Sequence, residues 1–218
     1  MSKFSEALEV ILHHEGGYVN HPKDPGGETN LGVTKRVYED FGGTKDMKEL
    51  TQADVEPIYK KNYWDKCKCD DLPNGLDLCV FDFGVNAGPG RAAKFLQRMI
   101  GTTVDGGIGP NTLKAVNTYV EENGLETAID NYQSARQSYY EELSTFDTFG
   151  RGWTRRVEET TQFAKTLISW SDKPFKVERD KLNDMYMLHR SIWRLTIPCL
   201  NVILVNEGEK LWQRILYN

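Results

Sequence analysis

Cysteine is too sparse and too unevenly placed to staple this chain. Cys67, Cys69, Cys79 and Cys199 form no disulfide framework. Cys67-x-Cys69 also falls short of the Cys-x-x-Cys spacing of zinc sites. Reduced, partly buried thiols are the expectation, in keeping with synthesis in a cytoplasm. No secretory leader is expected in MSKFSEALEVILHHEGG, which has no cationic n-region, no full-length apolar core and no small-residue cleavage site. Long apolar runs are missing too, so no transmembrane span is expected. Even SIWRLTIPCLNVILV is broken by Arg194, Pro198 and Asn201. Positive charge is in deficit, 27 Lys and Arg against 32 Asp and Glu, for a net charge of −5. Nucleic acid is therefore not the default partner. The deficit lies in the first 170 residues, which stand at −7, because residues 171–218 hold eight basic and six acidic side chains. There is no internal repeat and no low-complexity tract.

A metal site is not expected either. His13, His14, Glu15 and His21 cluster in sequence, but adjacent histidines on a helix point about 100° apart, so both cannot ligate from one face. No His-Glu-x-x-His pair occurs. No cofactor is expected.

What is present is helix. The 218 residues, 39% of them hydrophobic, suit one good-sized domain or two small ones. Phe4, Leu8, Ile11 and Glu15 recur at i, i+4, i+7 and i+11, which predicts an amphipathic helix with Glu15 on the apolar stripe at its last turn. Gly16-Gly17 is read as its stop. From Tyr18 to Val33 the pattern predicts short extended pieces joined by turns at Asn20-His21-Pro22 and Asp24-Pro25-Gly26-Gly27. A helix restarts with Thr34 as N-cap and closes at Gly42-Gly43. Another opens on the capping-box variant Thr51-x-x-Asp54 and runs to about Trp64, bent by Pro57. GLDLCVFDFGVNAG (75–88) is almost continuously apolar and reads best as a central buried helix. Further helices are predicted over 91–101, 109–120, 125–143 and 152–170. After Trp170 the composition turns polar and linker-like.

The chemistry gathers in EGGYVNHPKDPGGETNLGVT. A carboxyl at the end of an apolar helix face is partly desolvated, which favours its protonated form. A general acid for glycosidic cleavage needs that proton. Such cleavage also needs a second group to position water or stabilise the oxocarbenium-like transition state. Asp24, nine residues on, and Thr29, five beyond it, are available. Taken singly each has a plainer reading: Glu15 as a solvated helix end, Asp24 as a turn residue, Thr29 as a surface hydroxyl.

This stretch resembles the N-terminal motif of glycoside hydrolase family 108, the N-acetylmuramidases of phage endolysins and prophage-derived lysins. LPNGLDLCVFDFGVNAGPGRAAKFLQRMIG is similar to the family's next segment. TVDGGIGPNTLKAV and FGRGWTRRVEE resemble the predicted peptidoglycan-binding domain that follows. The resemblance spans about residues 6–170. It implies a mainly α, lysozyme-like fold with a small N-terminal β-hairpin region and a helical C-terminal lobe. The implied division is a catalytic region 1–90, a peptidoglycan-binding region 91–172 and an unassigned extension 173–218.

The implied activity is hydrolysis of the β-1,4 bond between N-acetylmuramic acid and N-acetylglucosamine, with Glu15 as the catalytic acid. Phage lysozymes of another family use a similar Glu, Asp and Thr series, which points to Asp24 and Thr29 and to an inverting reaction. The Asp–Thr interval is one residue shorter here. Candidate substrate contacts are Tyr18, Asn30, Asn86 and Trp153. The alternatives are core filling for Tyr18, a helix cap for Asn86, and packing with a salt bridge for Trp153 and Arg156. The expected partner is the glycan strand of bacterial peptidoglycan, met by a monomer made in the host cytoplasm and released through a holin. A lytic transglycosylase of the same fold, or a non-catalytic peptidoglycan-binding or secretion-regulating protein, stays open as an alternative.

Overall fold

The computed structural model describes residues 2–20 and 27–168. Asp24 and the apolar stretch between Ser191 and Val205 therefore lie outside the described residues. Among the described residues there are eight α-helices and one small antiparallel hairpin, and no helix is long and apolar enough to cross a membrane. The chain is mainly α with a minor β element, as the sequence predicts.

Helix α1 (Lys3–His14) buries Phe4, Ala7, Leu8 and Ile11, the stripe read from the sequence. Its stop differs from expectation. Neither Gly16 nor Gly17 adopts a left-handed conformation. The helix ends because Glu15 turns extended at φ −81°, ψ 147°, while its N–H still donates to the Ile11 carbonyl.

Strands β1 (Thr29–Asn30) and β2 (Val33–Thr34) pair with Asn30 opposite Val33, and Val19 bridges to Thr29 on the other side. The connecting Leu31 and Gly32 both have positive φ, +49° and +71°, which a two-residue hairpin needs to match the strands' twist. A leucine there is strained by about 1–2 kcal/mol. The Tyr59 hydroxyl offsets this by donating to the Leu31 carbonyl at 2.9 Å.

Thr34 caps α2 (Lys35–Asp40), its hydroxyl accepting from the Val37 N–H. Helix α3 (Gln52–Tyr59) opens with the Asp54 carboxylate accepting from the Thr51 N–H and hydroxyl. It passes Pro57 and continues as a π-helical turn over Lys60–Trp64.

The centre is α4 (Leu76–Ala87), whose residues 76–84 are all buried. It packs against α1, α5 (Pro89–Met99), α7 (Leu125–Glu141) and α8 (Phe146–Thr166), while α6 (Pro110–Asn123) packs on α7. Phe4, Trp64 and Phe81 meet edge to face with centroids 5.2–6.0 Å apart, which joins α1, the π turn and α4. Cys67, Cys69 and Cys79 are buried free thiols, and Cys199 lies outside the described residues.

Helix α8 begins six residues before its predicted start. Gly150 lies inside this helix, where the Phe146 ring occupies the space a β-carbon would need, 2.6 Å away.

Candidate active site

Glu15 ends α1 with its side chain 23% exposed, and Nη1 of Arg156 donates to its Oε1 at 2.9 Å. Its Oε2 faces the hairpin turn: a β-carbon on Gly32 would lie 2.9 Å from that oxygen and 2.4 Å from the Tyr59 hydroxyl. Glycine at 32 is thus required twice, by its positive φ and by the close approach of Glu15. Burial, seconded by the Glu15 charge, pushes the Tyr59 phenol well up, so it remains a proton donor to the turn. The same two causes, in the same order, raise Tyr63. The hairpin, α3 and the end of α1 thereby hold the carboxyl from three sides.

Behind Glu15 runs a chain of alternating charges. Arg156 grips the wholly buried Asp82 through Nε at 2.9 Å and Nη2 at 2.8 Å. Asp82 Oδ2 lies 2.6 Å from Nη1 of Arg136, also wholly buried, and accepts from the Thr160 hydroxyl at 3.4 Å. Nε of Arg136 donates to the Tyr140 hydroxyl at 3.0 Å, and that hydroxyl donates to Oδ1 of Asn86 at 2.9 Å. The Arg136 guanidinium also lies over the Phe83 and Tyr140 rings, 5.2 and 5.4 Å from their centroids. Burial alone would raise the Asp82 carboxyl, but Arg136 and Arg156 outweigh it and hold it below the ordinary range. The four charges sum to zero, so none is buried without a partner.

Beside Arg156 opens a polar cavity of about 470 Å³ between the ends of α1 and α4 and one face of α8. His14, Asn86, Trp153, Arg155 and Glu159 line it with Arg156. Trp153 lies against Tyr140 and Phe149, centroids 5.2 and 5.8 Å apart, which leaves a half-buried aromatic wall. Burial, followed by the Arg156 charge, lowers His14. Its Nδ1 sits 3.6 Å from Glu159.

The sequence-derived candidates separate on this geometry. Glu15, Asn86 and Trp153 gather around Arg156 and the cavity. Asn86 does not cap α4, since Gly88 at φ +93° fills that place. Asn30 is buried, and its amide donates to the Met47 carbonyl at 2.6 Å, tying the hairpin to the 3-10 turn Met47–Glu49. Tyr18 is half-buried, donates to Glu28 at 3.0 Å, and has Lys48 Nζ 5.3 Å over its ring. The Thr29 hydroxyl faces the Gly27 carbonyl at 3.5 Å, and its backbone is paired to Val19 on both sides. Asp24 lies outside the described residues. Asp82, Arg136, Tyr59 and Gly32 were not among the candidates.

Among the described residues no group of three or more His, Cys, Asp or Glu side chains is arranged to hold a metal ion.

Residues 8–88 match the family model described as Glycosyl hydrolase 108, and residues 91–158 match the one described as Predicted Peptidoglycan domain. Among solved structures the chain is similar to SagA of Brucella abortus, with 40% sequence identity and a TM-score of 0.64. That likeness covers 75% of this chain and 94% of SagA. Comparison with curated proteins gives no match.

Proposed function

We propose that this chain, which belongs to the glycosyl hydrolase 108 family, is a muramidase that hydrolyses the β-1,4 bond between N-acetylmuramic acid and N-acetylglucosamine, with Glu15 as its general acid. As a member it is a glycoside hydrolase acting on peptidoglycan. The bond, the acid and the biological setting are the proposal. One observation carries it: Glu15 is mostly buried and has one oxygen fixed by Arg156, which itself lines an open polar cavity.

The carboxyl delivers its proton from Oε2, the oxygen that Arg156 leaves free. The glycosidic oxygen takes that proton as the bond to the anomeric carbon breaks, and a water attacks from the opposite face of the sugar. Asp24 as the base and Thr29 as a second holder of that water follow from the family resemblance. The Trp153 wall offers a face for a sugar ring, as amphipathic aromatic surfaces do, and the Asn86 amide lies within the same cavity for an N-acetyl group. Tyr18 and Asn30 act through the hairpin, one at its edge and one beneath it. The net charge of −5 makes long-range attraction to an anionic wall weak, so affinity comes from these short-range contacts. The setting is that of a monomeric phage-type endolysin, made in the host cytoplasm and released through a holin.

Glu15→Gln tests the reading. Clearing of purified sacculi should fall by about 10²-fold or more, the usual share of a general acid, while binding to sacculi is retained. Undiminished clearing by that variant would sink the assignment.

A further inference from the structure

We infer that Arg156, carried on α8 within the segment matching the predicted peptidoglycan domain, is a positioning residue for Glu15, so that this segment completes the catalytic centre as well as contacting the wall. The inference rests on Glu15 being the general acid.

Glu15 and Arg156 are 141 residues apart in sequence and belong to different family matches. Yet the guanidinium of Arg156 donates to Glu15 through Nη1 and to Asp82 through Nε, with Nη2 2.8 Å from the same Asp82 oxygen. An arginine on a surface helix normally keeps wide rotamer freedom. Here its side chain is 11% exposed and gripped by a carboxylate that is itself immobile. Asp82 sits at the heart of α4, and Arg136 on the far side is locked by Tyr140 and stacked on Phe83. Stability alone does not call for such an arrangement, because well-packed apolar side chains usually serve a core as well or better. The chain of charges ends on Glu15, paired with the arginine that lines the cavity. Its physical effect is to fix one oxygen of Glu15 and leave the other for the substrate.

Several groups face Glu15 among the described residues. They are Arg156 from α8, Tyr59 from α3 with Tyr63 in the following π turn, and His14 on α1 itself. Asp82 from α4 and Glu159 from α8 stand behind Arg156 and His14. Arg156 is the only one of these that carries a positive charge at neutral pH against the carboxyl.

Full-length wild type, Arg156→Gln, Arg156→Lys and Glu15→Gln are compared for kcat, apparent KM on sacculi, and melting. Arg156→Gln keeps its core neutral, since Asp82 still has Arg136. Its kcat should drop at least about tenfold with little change in apparent KM. Arg156→Lys should not restore the rate, because one ammonium cannot span Asp82 and Glu15 as the planar fork does. A wild-type kcat in Arg156→Gln overturns the inference. If that variant melts below assay temperature, wild-type kcat in Arg156→Lys overturns it instead. An active Glu15→Gln refutes the general acid itself; an inactive one beside an unaltered Arg156→Gln refutes only the role of Arg156.

Discussion

Replacing Asp82 by Asn keeps the side-chain volume and removes one charge from the middle of the frame. Asp82 lies 2.6 Å from Arg136 and 2.8 Å from Arg156, and neither Asp82 nor Arg136 has any solvent exposure. The substitution leaves Arg136 as a buried cation with no counter-ion. Removing one member of a buried pair costs about 3–5 kcal/mol, a large share of the roughly 5–15 kcal/mol that holds a domain folded. At about 2–4 °C per kcal/mol for a chain of this size, Tm should fall by about 6–20 °C.

The pH dependence has a definite sign. A carboxyl held below its unfolded value stabilises the fold above that value and loses the contribution as pH falls through the folded one. The gap between wild type and Asp82→Asn should therefore be full at neutral pH and shrink below about pH 4. Calorimetric melts across that range measure it. The double variant Asp82→Asn with Arg136→Met should melt above the single one, since it removes the stranded cation as well. A single variant that melts within about 2 °C of wild type at neutral pH would refute the reasoning.

Two further substitutions probe the hairpin. Gly32→Ala forces a β-carbon to 2.4 Å from the Tyr59 hydroxyl and 2.9 Å from Glu15 Oε2 at φ +71°. It should lose at least about 1 kcal/mol and most turnover, measured by melting and sacculus clearing; wild-type values in both would contradict the packing described. Asn30→Ala strands the buried Met47 carbonyl, so melting should reveal a loss of about 1–3 kcal/mol. A raised KM with unchanged Tm would instead make Asn30 a substrate contact.

Much of this was legible in the sequence because periodicity reports burial. The spacing of Phe4, Leu8 and Ile11 placed Glu15 at a helix end, and the apolar run 75–88 identified α4 as central. The partner of Glu15 was not legible in that way, since nothing local links residues 15 and 156. A signal did exist. Asp82 interrupts an apolar run, Arg136 shares a face with Ala128, Ile129, Tyr132 and Tyr140, and Arg156 sits beside Val157, Thr160 and Ala164 on the buried side of α8. Charges on three apolar faces must find each other or pay a desolvation cost. Asn30 is a candidate substrate contact in the sequence, and strand alternation turns it inward opposite Val33. The stop of α1 was assigned to Gly16-Gly17 because glycine is the common terminator, but the extended backbone of Glu15 had already ended the helix.

The central claim is a hydrolytic muramidase driven by Glu15, and the products decide it. Mass spectrometry of sacculi digested by wild type and by Glu15→Gln should find muropeptides with reducing N-acetylmuramic acid ends from the first and none from the second. Products with 1,6-anhydro ends, or the same reducing products from Glu15→Gln, would contradict it.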